Sequence, residues 1–388
     1  MGALTPSPPQ AAALTCRPGN IGRERIVAAH RCAVARYRAH LVGSRAQQYL
    51  RRRLGNTMPK GWPVGYAPTP GTVMVNQLRR RGFTDQEIVA AGLGRQLRDG
   101  RIIDRFRDRV MFPVFDIDGD PVGFLGRTCP GGRGPKYLNS PASPAYAKGC
   151  LLFGLFEQWR SWVAGARPVL VEGPVDVLAV AAADAGRCEF AAVAACGTAL
   201  TGDQLNLLDR VCDLSSGMVS ALDADSAGRR ATRKVWDLLQ RYPGAAGAAL
   251  AAGLPTGTDP ADLLERQGAG ALRQAVTDAT VPLADVLIEA LLVGRDGGDV
   301  AASDLEHRFA VLRRAAVVAA GTGCAEQIVR LVVSLAARLN LTYPTVSGAI
   351  VDAISPTTGV EEPCTEAVDD GVLSTGSLTD LALHEKRR

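Results

Sequence analysis

Between Pro168 and Gln267, short apolar runs alternate with helix-like segments, and this alternation constrains the chain more than any other feature. PVLVEG, FAAVAACG, GMVSALDAD and the start of GAALAAGLPTGTDPADLLERQG read as strands. PVDVLAVAAADAG, TGDQLNLLDRV, SAGRRATRKVWDLLQRY and the end of that last segment read as helices. Strands separated by helices return to a sheet in parallel, so the order predicts an α/β fold with a mostly parallel sheet and flanking helices. In such sheets ligands sit in the crevice at the carboxyl ends of the strands.

The strand ends carry acids. Residues two apart on a strand project to one side, so Asp223 and Asp225 of SALDADSAGRRA leave the sheet together. Two adjacent carboxylates repel, and one pKa rises unless a cation neutralises them. Oxygen donors with no histidine or cysteine nearby select a hard ion, Mg²⁺ or Mn²⁺. VLVEGPVDV repeats the arrangement: Glu172 ends a strand, Gly173 allows a tight turn, and Asp176 falls in the first turn of the next helix. GTDPADLL places Asp259 and Asp262 after another strand. Asp176 and Asp262 read equally well as helix caps. Glu172, Asp223 and Asp225 at the strand ends of one domain read as a site.

The flanks differ in character. A helical pattern runs from Gly22 to Leu54, with Ile26, Val27, Val34, Tyr37, Leu41, Tyr49 and Leu50 as its apolar members. Its charged residues are nearly all arginine, with Glu24 the one acid, while the C-terminal tail is acidic. A net charge of +5 over 388 residues therefore says less than its distribution. The basic front suits a polyanion and equally a solvated helix face. Two short helices follow, the second opening at Thr84 with Glu87 three residues on, a capping box. RVMFPVFDIDGDPVGFLGRT reads as a β-hairpin turning at Asp118–Gly119. CPGGRGPKYLNSPASPAYAKGCLLFGL is too rich in Gly and Pro to be regular, and helices return past Pro282.

These segments divide the chain into a disordered start at 1–21, a basic α+β subdomain at 22–166, the α/β domain at 167–270, a helical subdomain at 271–355 and an acidic disordered tail at 356–388. Nine cysteines form no CxxC pair, so reduced thiols are expected and no structural zinc. Neither a signal peptide nor an apolar run of about 18 residues is present, which points to the cytoplasm and away from membranes.

The Glu172–Gly173 and Asp223-Ala224-Asp225 pair resembles the Toprim domain of bacterial primases, topoisomerases and some nucleases. The segment ACGTALTGDQLNLL and the run DADSAGRRA are similar to the primase form. Upstream, DRFRDRVMFPVFDIDGDPVGFLGR, PKYLNSP and KGCLLFGL resemble the N-terminal part of the DnaG-type primase catalytic core, and the likeness runs in order over residues 22–355.

The resemblance implies Mg²⁺-dependent synthesis of RNA primers from NTPs on a single-stranded DNA template. Glu172, Asp223 and Asp225 would hold the metal, Glu172 would also move the proton, and Asp176 and Asp259 would assist. Arg127, Lys136, Tyr137, Asn139, Lys148 and Arg109 would contact nucleotide or template, although Arg109 reads equally as the partner of a core acid. The family's zinc-ribbon and helicase-binding domains are not found here, so a replicative helicase or a separate zinc-ribbon protein is an expected partner. The family's Asp-Pro-Asp appears as Asp259-Pro260-Ala261, which leaves Asp262 as a substitute. A Toprim nuclease and a single-stranded-DNA-binding accessory protein are the rival readings. A topoisomerase would need a tyrosine nucleophile domain as well.

Overall fold

A computed structural model describes residues 21–55, 58–69, 71–197, 199–223, 226–293 and 300–354. Residues 1–20, the acidic tail and Asp225 lie outside these. Helix Arg23–Ala39 buries Ile26, Ala29, His30, Ala33 and Tyr37 along one stripe. The helical pattern expected to continue to Leu54 is broken. The chain turns at Gly43, whose φ is +75°, and restarts as helix Arg45–Arg53 with Ser44 accepting from the Gln47 N–H. A left-handed glycine followed by a serine cap outweighs the apolar periodicity there.

The antiparallel sheet that follows has the order Gly65–Ala67, Arg109–Phe115, Pro121–Thr128, Tyr137–Asn139. Its central hairpin turns as expected: Asp116 Oδ1 accepts from the N–H groups of Asp118 and Asp120, and Gly119 takes φ +82°. The capping box at Thr84 and Glu87 is present in full. The Gly/Pro-rich stretch after Cys129 is more ordered than its composition suggests. Tyr137–Asn139 forms a strand by pairing with Leu125–Arg127, and Leu152–Phe153 adds an edge to the second sheet. Pairing partners distant in sequence impose order that composition does not encode.

The second sheet runs Val281–Pro282, Leu250–Ala251, Val219–Ala221, Arg167–Val171, Phe190–Ala195, Leu152–Phe153. The middle four strands are parallel and both edges antiparallel. Alanine at 191, 192 and 194 keeps the Phe190–Ala195 strand thin. Helix Pro174–Asp184, almost entirely buried, packs against it. Helices Leu283–Leu292, Leu305–Gly321, Ala325–Leu339 and Tyr343–Ile354 complete the fold. The first and third of these are tied by paired contacts from Arg330 to Asp285 and from Arg338 to Glu289.

The two sheets share one apolar core. Tyr49, Leu50, Val110 and Phe112 from the first region pack with Val169, Val177 and Leu263 from the second. Phe112 is fully buried, with its ring edge-on to Phe153 at 5.9 Å. Phe112→Ala is expected to cost about 3–5 kcal/mol by urea unfolding, lowering one cooperative transition. Loss of a separate, smaller transition would contradict a shared core.

Candidate active site

Parallel register brings the first two acids together. Val171 pairs with Ala221, so Glu172 and Asp223 leave neighbouring strands at one edge. The Asp223 N–H donates to Glu172 Oε1 at 3.3 Å, and the Glu172 side chain is exposed. The helix Ser226–Leu239 then folds back tightly: a Cβ at Gly228 would stand 1.8 Å from the Asp223 carbonyl oxygen. Among the described residues no group of three metal-type side chains gathers, and Asp225 is not one of those residues.

Asp176 sits one helical turn behind Glu172 and is 7% exposed. Burial, and then the Asp259 carboxylate, push its pKa up to about 7. The Ala261 N–H donates to its Oδ1 at 3.3 Å. Gly173 has an extended backbone, φ −145°, so the turn does not require glycine. The space around it is tight: a Cβ there would lie 3.0 Å from Tyr137 Oη, so the phenol would have to give by a few tenths of an ångström, and 3.5 Å from Asp176 Oδ2, an ordinary contact.

Tyr137 belongs to the other sheet, and it brings the cations. Arg127 donates to Tyr137 Oη at 2.7 Å and is held over the rings of Tyr49 and Tyr137, 5.2 and 5.3 Å from their centroids. Asn139, two residues on, donates to the Cys196 carbonyl at 3.4 Å. Its Oδ1 is buried without a hydrogen-bond partner among the described residues. Gly197, at φ +87°, admits that amide, because a Cβ would fall 1.9 Å from Asn139 Nδ2. Lys136 is exposed on the approach to this strand, and Lys148 is half-buried where the chain enters the second sheet. Arg229 and Arg230 are exposed on the helix behind Asp223.

Two expected contributors lie elsewhere. Arg109 is 4% exposed and donates to the carbonyls of Gly126 and Pro135 at 3.0 and 2.9 Å. It braces the loop leading to Lys136 from inside and neither reaches a groove nor pairs with a core acid. Asp262, the substitute expected for the acid absent at Ala261, is turned to Arg53. Asp259 caps helix Pro260–Val276, its Oδ1 accepting from the Asp262 N–H at 2.6 Å and from Arg53 at 2.8 Å. Tyr49 counts among the apolar members of the first helical pattern, and the resemblance assigns no role to it or to Arg53. Their signal is the stripe Ala46, Tyr49, Leu50, Arg53, all buried, in which an arginine holds an apolar position.

A mostly parallel sheet whose acidic strand ends meet an arginine-bearing antiparallel sheet places the chain with Toprim-type folds. Residues 37–159 match the family described as DNA primase catalytic core, N-terminal domain, and residues 169–264 match the Toprim-like family. The DNA primase of Streptomyces coelicolor is 32% identical over 286 residues, covering 71% of this chain and 43% of that protein. The crystal structure of the RNA polymerase domain of Mycobacterium tuberculosis primase DnaG superposes with a TM-score of 0.67 at 32% identity. It covers 81% of this chain and 99% of that domain. A DnaG primase catalytic domain bound to single-stranded DNA gives 0.63 at 29% identity, covering 83% and 98%. The chain belongs to the bacterial DnaG-type primase catalytic core family, and it spans less than half the length of the Streptomyces relative. Among the described residues no helix is long and apolar enough to cross a membrane.

The raised pKa of Asp176 has a sign. An unfolded aspartate titrates at about 4, so the folded state holds this proton more tightly. Stability is lost as pH rises from about 4 towards about 7, because the folded state must then give the proton up. Asp176→Asn is expected to remove that loss, as read by urea midpoints in chelator across the range. Parallel pH curves for the two proteins would contradict it.

Proposed function

We propose that this chain synthesises short RNA primers on single-stranded DNA by metal-dependent nucleotidyl transfer. The observation that carries the reading is the apposition itself: Glu172 and Asp223 share a strand-end edge, and Tyr137 and Arg127 of the other sheet face that edge across Gly173. The carboxylate oxygens of Glu172 and Asp223, with Asp225, suit Mg²⁺ or Mn²⁺, because the donor set is all oxygen. When bound, such an ion stabilises the negative charge that develops on a triphosphate.

The chain's own groups do the rest. Glu172, exposed at the strand end, takes the proton of the attacking 3′-hydroxyl. That oxygen bonds to the α-phosphorus of the incoming NTP, and pyrophosphate leaves. Asp176 and Asp259 stand behind, where they order the acidic edge. Lys136 and Lys148 offer point charges to phosphate. The stacked Arg127 is a fixed cation, and Asn139 holds the Tyr137 strand against the turn after Cys196. The DnaG relative seen with single-stranded DNA supports the choice of template. A match to the primase N-terminal core over residues 37–159 favours a polymerase over a Toprim nuclease. Backbone contacts of this kind weaken steeply with salt. A replicative helicase and a separate zinc-ribbon protein are the partners this reading assigns, and the bacterial cytoplasm is its setting.

With single-stranded DNA, labelled NTPs and Mg²⁺, the wild type is expected to yield new RNA. Asp223→Ala is expected to yield none while keeping the wild-type unfolding midpoint. Shortened DNA would indicate a nuclease, and a gel shift with no RNA would indicate a binding protein. Lys136→Ala is expected to raise the KM for NTP about tenfold, the size of one lost charge-assisted contact of about 1.4 kcal/mol. An unchanged KM would remove Lys136 from the nucleotide path.

A further inference from the structure

We propose that Arg53 is a positioning residue of this site, holding the Asp259 carboxylate in place beside Asp176 from a helix outside the Toprim-type sheet. The proposal rests on the reading above for the identity of the site and gives a role to a residue to which the resemblance assigns none.

Arg53 lies on the buried stripe of helix Arg45–Arg53, and its side chain is 9% exposed. The adjacent Arg51 and Arg52 are exposed. Its two terminal nitrogens serve three carboxylates: Nη2 donates to Asp259, and Nη1 to Asp262 and to Glu265 at 3.1 Å. A planar guanidinium can divide its donors in this way, and an ammonium cannot hold the same fork.

The consequence falls on Asp259. Its Oδ1 accepts both from Arg53 and from the Asp262 N–H, so that oxygen is anchored. Its Oδ2 takes no hydrogen bond among the described residues. The carboxylate is therefore oriented, with one oxygen held by two donors from different elements. Ala261 has no carboxylate to share the work, and of the loop's two aspartates Asp259 is the one whose charge acts on Asp176. One turn earlier on the same helix, Tyr49 packs under Arg127. A single helical face thus contacts both the fixed cation and the oriented acid, and each acts on Asp176 through its charge.

A mere neutraliser of charge would behave differently. Removing a positive group from among carboxylates strengthens their pull on a cation, whereas losing the orientation of Asp259 weakens it. The test is a titration with Mn²⁺ alone, followed by electron paramagnetic resonance of the free ion. It uses the wild type, Arg53→Met, Asp259→Asn and the double variant. Arg53→Met is expected to bind Mn²⁺ about tenfold more weakly, the usual size for losing a residue that orients a ligand. Asp259→Asn is expected to do the same, and the double variant to bind no more weakly than Asp259→Asn, because Arg53 acts through that carboxylate. Unchanged or tighter binding by Arg53→Met, or additive losses in the double variant, would overturn the proposal.

Should Arg53→Met fail to fold, Arg53→Lys keeps the charge without the fork. Weaker Mn²⁺ binding at a wild-type urea midpoint supports the positioning role, and wild-type affinity overturns it. A wild type that binds Mn²⁺ yet makes no RNA would refute the proposed function and leave the test of Arg53 intact.

Discussion

Parallel pairing of two strands forces two carboxylates to one edge. Once Val171 lies opposite Ala221, the chain has no freedom to separate Glu172 from Asp223, because both follow within two residues of the paired positions. The strands themselves are apolar and buried on both faces, so their register is held by the core and not by the acids. Like charges at the end of such strands cost free energy in a protein that needs only to fold. A cation offsets that cost. The fold therefore brings two acids to one strand end.

The antiparallel sheet meets that strand end from the other side, through Tyr137 and Asn139. Tyr137 reaches over Gly173, where a side chain would crowd the phenol, and Asn139 occupies the space that a Cβ on Gly197 would fill. Both are bare backbone positions at strand ends of the second sheet, opened to side chains of the first. Arg127 is clamped between two rings, and Arg109 is spent inside the fold as a brace for the loop before Lys136. The cations thus divide into arginines fixed by protein partners, Arg127 and Arg109, and the exposed Lys136.

Much of this was legible in the sequence where local physics decides the outcome. The alternation over 168–267, the Asp-Gly turn and the Thr84–Glu87 capping box each depend on residues near one another in the chain, and each formed as expected. The strand Tyr137–Asn139 was not legible, because its existence depends on Leu125–Arg127 rather than on its own Gly/Pro-rich surroundings. The break at Gly43 was hidden by apolar residues that continue the helical period on both sides. Gly173 reads in the sequence as a turn residue, whereas its backbone is extended and its missing side chain leaves room against Tyr137. Arg53 escaped because three consecutive arginines look alike in a sequence, and only packing separates the buried one from its exposed neighbours.

Anomalous diffraction from crystals of this protein soaked in Mn²⁺ tests the account most directly, since the carboxylate edge is asked to hold an ion before it is asked to do chemistry. A manganese peak bridging the carboxylates of Glu172 and Asp223, on the side facing Tyr137, is the result expected. An edge that stays empty at saturating Mn²⁺, with Glu172 and Asp223 turned to protein cations instead, would contradict it.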